Sequence, residues 1–144
     1  MPGLMRTFGV ALFIVLAGVA TALAQSAQEM NKTLEDLYGA HAPYSAFFEK
    51  LKKAVAENDR QTVAAMVQYP FKARISGKAV TIRDAAHFVA DYDKVFTAKV
   101  RKAVSNQTYP NLFANWQGVM IGDGEVWFSG IDDKNTVKII AVND

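Results

Sequence analysis

Three places along the chain set acidic or imidazole side chains close enough to share a proton or a cation. His87 and Asp91 stand four residues apart, which on a helix lets a carboxylate orient an imidazole or lets the two hold a metal. At about 100° per residue, however, they fall with Lys94 on the face opposite Phe88, Tyr92 and Phe96, so they read as an ion pair on a solvated face. Asp123 and Glu125 flank Gly124, and Asp132, Asp133 and Asn135 crowd a second turn. An exposed turn does not bring a carboxylate into the pKa range of acid–base catalysis. The second cluster lacks the glycine and the distant glutamate of a calcium loop and reads as a polar hairpin turn. His41 sits alone in a connector bounded by Gly39 and Pro43, and two histidines without any cysteine give no ligand set for a transition metal. The sequence therefore assigns no catalytic residue, no metal and no cofactor.

Binding asks for less than catalysis: apolar area with a polar handle. Trp116, Trp127, Tyr69 and Tyr92 offer both and are the candidates for a pocket wall, with plain core packing as the competing account of the same residues. Two short basic clusters, Lys50 with Lys52 and Lys53, and Lys99 with Arg101 and Lys102, lie beside apolar residues on helical patterns and read as solvated faces.

The elements that must position these residues follow from periodicity. Ser26 to Glu29 has the form of a capping box, and Met30, Leu34, Leu37 and Tyr38 follow at helical spacing up to Gly39. The Gly39–Pro43 interruption makes this segment a loosely attached arm. Phe47, Phe48, Leu51, Ala54 and Val55 form the stripe of a second helix, and Asp59 is placed to cap a third, which Tyr69-Pro70 stops. Period two then takes over: Phe71, Ala73 and Ile75 alternate with Lys72 and Arg74, and Ser76–Lys78 turns the chain into a partner strand, 79–82. A single long helix is predicted over 83–96, and Thr97 begins another. Strands are predicted over 112–121, 125–131 and 136–142, joined by glycine- and aspartate-rich turns. Their side chains are apolar on both faces, so the face away from the helices must line a cavity or meet a second subunit.

The N-terminus carries an address. One positive charge in residues 1–6, an apolar run from Phe8 to Ala20, and Ala22-Leu23-Ala24 make an export signal with cleavage between Ala24 and Gln25. The expected organisation is a signal peptide over 1–24, a helical arm over 25–43 and an α+β domain over 44–144, working in the periplasm or outside the cell without a membrane anchor. The 144 residues hold 16 basic and 14 acidic side chains, and removing the signal takes Arg6 alone, leaving a formal charge of +1. Such a balance gives no support to nucleic-acid binding. With no cysteine, the exported domain must hold together through its core alone.

Helices, a hairpin, helices and then a run of strands is the order of an α+β fold. Tyr92-Asp93-Lys94-Val95-Phe96 and the stretch from Trp116 to Phe128 resemble exported bacterial members of the NTF2-like superfamily, over about 43–144. The resemblance implies a cone of N-terminal helices packed on a curved antiparallel sheet. It also implies a pocketed scaffold that serves isomerases, dehydratases, ligand carriers and assembly modules alike. No acid–base motif of the enzymes in that group matches here residue by residue. The expectation is accordingly a binding module for a small apolar ligand or a protein partner, with a homodimer through the sheet as one form. An isomerase- or dehydratase-type enzyme is the alternative.

Overall fold

Helix α1, Leu16–Tyr38, opens the part of the chain that the computed structural model describes, residues 16–144. Most of the expected signal falls outside the described residues; its last stretch, 16–24, begins this helix. The helix start expected at Ser26 therefore lies inside α1. Residues 16–25 hold one glycine among alanine, leucine, valine, threonine and glutamine, which extend a helix already nucleated. The helix ends where the sequence indicates. Gly39 takes a φ of +79°, and its N–H donates to the Glu35 carbonyl at 2.8 Å.

The arm is not loosely attached. Met30 and Leu34 are buried in the core, Tyr38 stacks on Tyr44 with ring centroids 4.6 Å apart, and its hydroxyl donates to the Asn115 carbonyl at 2.6 Å. The Tyr109 hydroxyl reaches the Asn31 side chain at 2.5 Å. A connector this short, turned by Gly39, folds the arm back onto the domain.

Helix α2, Ala42–Ala56, buries Tyr44, Phe47, Phe48, Leu51, Ala54 and Val55, the expected stripe extended by one tyrosine. Asp59 caps α3, Arg60–Ala65, by accepting from the Thr62 N–H at 3.1 Å. Strands β1, Phe71–Ile75, and β2, Lys78–Ile82, form the expected hairpin. The long helix predicted over 83–96 is instead two short ones, α4, Ala85–Ala90, and α5, Tyr92–Val95. Asp91 leaves the helical conformation between them, yet Phe88, Tyr92 and Phe96 stay in phase, which is why periodicity hides the break. Thr97 caps α6, Ala98–Asn106, as expected.

The strand predicted over 112–121 is a hairpin. Strand β3, Phe113–Asn115, reverses through Trp116 and Gln117 into β4, Gly118–Ile121, with Asn115 paired to Gly118. Asn115 accepts from the Gln117 N–H at 2.8 Å, and Gly118 brings its Cα so close to the Phe128 carbonyl that a Cβ there would stand 2.8 Å from it. Strands β5, Val126–Gly130, and β6, Val137–Val142, complete a curved, unclosed sheet in the order β2-β1-β6-β5-β4-β3, antiparallel except where β1 meets β6. The molecule is thus α+β, with helices against one face of a six-stranded sheet.

A bulge sets which residues face the helices. Trp127 pairs with Ala141 but Phe128 pairs with Ile139, so Ile140 is the extra residue. Simple alternation in β6 fails here, and Ile139 and Val142 both reach the core with Val119, Ile121, Val126 and Phe128.

Candidate functional site

Phe88 occupies the centre of the helix-facing side. Phe71, Tyr92 and Phe96 meet it edge-on with ring centroids 5.9–6.3 Å away, Tyr69 does so at 6.5 Å, and Tyr92 lies flat on Phe96 at 5.4 Å. Edge-to-face rings at these distances fill space at the density of a protein interior. Of the candidate wall residues, Tyr69 and Tyr92 belong to this cluster. Tyr69 donates its hydroxyl to the Ala64 carbonyl at 2.7 Å, and burial pushes its pKa up to about 12. Tyr92 is fully buried and its hydroxyl has no hydrogen-bond partner. Arg60 closes over the Tyr92 ring, 5.2 Å from its centroid, while donating to both carboxylate oxygens of Asp93 at 3.0 and 3.2 Å. Burial raises the Tyr92 pKa, partly offset by Arg101 and Arg60.

The opposite face differs. Phe113 pairs with Met120, Met120 with Trp127 and Trp127 with Ala141, so these four side chains form one row across β3, β4, β5 and β6. Phe113 is 50% exposed and meets Trp127 edge-on at 6.5 Å; Met120, Trp127 and Ala141 are half-buried. Lys99, Asp123 and Glu125 border the row at a shallow cleft shared with Met120 and Trp127. Glu125 accepts from the Asp123 N–H at 2.6 Å, so it braces the β4–β5 turn.

Trp116 belongs to neither group. At the tip of the β3–β4 hairpin it is 81% exposed and overhangs an open cleft of about 410 Å³ lined also by Tyr38, Tyr44, Asp132, Asp133 and Asn135. Tyr44 donates to the Asn135 side-chain oxygen at 3.1 Å and packs against Gly130, where a Cβ would come within 2.7 Å of its hydroxyl. Asp132 accepts from the backbone N–H groups of Lys134 and Thr136 at 2.9 and 3.1 Å. Hydrogen bonds from the side chain and backbone of Thr136, then from Lys134, hold its carboxyl below the usual range. The structure thus does not gather Tyr69, Tyr92, Trp116 and Trp127 into one wall: the two tyrosines share the interior cluster and the two tryptophans stand apart on the outside.

His87 and Asp91 pair as the sequence suggests, whereas His41, expected alone in its connector, has a partner. His87 Nε2 lies 3.2 Å from Asp91, with both side chains about a quarter exposed, and its Nδ1 accepts from the Arg83 N–H at 3.2 Å. His41 Nδ1 meets Glu35 at 2.5 Å and joins the arm to the start of α2. The basic clusters also act structurally: Lys52 donates to the Gln107 carbonyl at 2.7 Å and Arg101 to that of Phe96 at 2.6 Å. Among the described residues no Asp, Glu or His is buried, and no three His, Asp or Glu side chains converge as a metal site would require. No carboxylate or imidazole among the described residues therefore has the burial that shifts the pKa of a catalytic acid or base.

Sequence reasoning missed Phe113, Met120 and the Tyr38–Tyr44 stack. The first two stand among equally apolar neighbours, Leu112, Val119 and Ile121, in a strand whose reversal was hidden, and the stack depends on the arm folding back. Comparison with protein-family models, with curated proteins and with solved structures finds no match for this chain.

Proposed function

We propose that this chain is an exported binding module of NTF2-like architecture that docks a protein partner on the outer face of its sheet, with a second copy of itself as the simplest occupant. The observation that carries this reading is the row Phe113, Met120, Trp127 and Ala141, which leaves large apolar side chains half in water on a continuous face. A small apolar ligand in the cone would need the space that Phe88, Tyr92 and Phe96 fill. Self-association suits the border of the row. Under a two-fold axis a residue away from the axis meets a different residue of the other copy, so Lys99 of one can face Asp123 or Glu125 of the other. Two such faces pack at the roughly 10 Å separation of stacked sheets.

The export half of the reading rests on the apolar run from Phe8 to Ala20 followed by the small-residue cleavage pattern at Ala22–Ala24. Sedimentation equilibrium of the purified protein tests the docking half. A concentration-dependent dimer that Trp127→Lys converts to monomer is expected. A protein that stays monomeric at every concentration, and whose melting temperature no protein or apolar ligand raises, overturns it. Intact mass of the product recovered outside the cytoplasm tests the export half separately, with a chain beginning at Gln25 expected.

A further inference from the structure

The tip cleft has a composition that the docking face lacks. Its lining includes Trp116, exposed at the rim, the stacked pair Tyr38 and Tyr44, of which Tyr44 is buried, and two carboxylates, Asp132 and Asp133, and no lysine, arginine or histidine. The floor is fixed: Tyr38 and Tyr44 are stacked, and their hydroxyls are tied to Asn115 and Asn135. The rim is unengaged. Among the described residues neither the Trp116 indole N–H nor the Asp133 carboxylate has a hydrogen-bond or salt-bridge partner, and Trp116 is 81% exposed on a two-residue turn that needs no tryptophan for its geometry. Asp132 is ionised across the neutral range, since its hydrogen bonds stabilise the charged form.

An electron-rich ring face beside fixed negative charge is the arrangement that attracts a weakly hydrated cation, by cation–π attraction on one side and Coulomb attraction on the other. A small inorganic cation would instead ask for a cage of convergent oxygen ligands, and no three His, Asp or Glu side chains converge here among the described residues. An anion would meet two carboxylates. An apolar guest would leave the Asp133 charge facing a surface that cannot solvate it. We infer that the cleft between the β3–β4 tip and the β5–β6 turn binds an organic cation, either a methylated ammonium or the guanidinium or ammonium end of a basic side chain. This site is separate from the sheet face and does not rest on the docking proposed there.

The two tryptophans make the test specific, because the indole N–H resonance of Trp116 reports the cleft and that of Trp127 reports the sheet face. The purified protein, labelled with nitrogen-15, is titrated at low ionic strength with choline, with N-acetylargininamide and with 3,3-dimethylbutan-1-ol, the uncharged shape-mimic of choline. Saturable movement of the Trp116 resonance and the Gly130 amide with either cation, absent with the alcohol, is expected. Choline alone identifies a free methylated ammonium as the source, and the arginine derivative alone identifies a basic peptide. Following Gly130, Trp116→Leu is expected to weaken binding about two- to fivefold, the range of an exposed cation–π contact, and Asp133→Asn to weaken it while leaving the fold intact. An alcohol as effective as choline, a response confined to Trp127, Asp133→Asn binding as well as the parent, or no saturation by either cation overturns the site. The oligomeric state measured in the same samples reports the docking face independently.

Discussion

Phe88 and Trp116 are both large aromatic side chains, and the fold treats them in opposite ways. Phe88 is completely enclosed by four other rings, whereas Trp116 has 81% of its surface in water. Hydrophobic burial is proportional to area removed from water, so the first residue holds the helices to the sheet and the second contributes almost nothing to folding. The difference separates two kinds of aromatic residue that composition cannot distinguish: those that stabilise the domain and those left for something else to cover.

Substitutions sharpen or break that contrast. Phe88→Ala is expected to lower unfolding free energy by about 3–5 kcal/mol in urea titrations, because the surrounding rings cannot collapse into the space. A loss under about 1 kcal/mol would mean that the interior is loosely packed and has room for a ligand after all. Tyr92→Phe probes the same cluster with a smaller and opposite effect. Its hydroxyl is buried without a partner, so removing it is expected to leave stability unchanged or raise it by up to about 1–3 kcal/mol. A clear loss in the same titration would show that the hydroxyl has a partner, such as a bound water. Trp116→Ser should move the unfolding midpoint least, within about 0.5 kcal/mol, as for other surface changes. A larger destabilisation would show that the tip packs against the domain in solution and would remove the contrast.

Much of the scaffold is readable from residue spacing. The α2 stripe, the caps at Asp59 and Thr97, the β1–β2 hairpin and the stop at Gly39 each depend on local chemistry that two to four neighbouring residues specify. The failures have a common physical origin in features that do not disturb local periodicity. Asp91 breaks a helix while Phe88, Tyr92 and Phe96 remain in register, and the β3–β4 turn places its special residues, Asn115 and Gly118, on either side of the tip. Alternation therefore reads straight through Trp116 and Gln117. The bulge at Ile140 exchanges faces within a strand whose residues are nearly all apolar. The site suffered more than the fold, because the outer row and the tip cleft both depend on those two strand irregularities and on the return of the arm. The dipeptide Trp116-Gln117 set between Asn115 and Gly118 was the signal that could have located the tip.

The place of β6 in the sheet has a kinetic meaning. Val142 pairs with Ala73 on one side and Val126 on the other, so the strand that joins the two halves of the sheet is the sixth to emerge during synthesis. Until residues 137–142 are available, the β1–β2 hairpin and the β3–β5 meander have no shared backbone ladder and are joined through the helical segment α4–α6. Completion of the sheet therefore waits for the last of its six described strands, although the β1–β2 hairpin and the β3–β5 meander can each form before it.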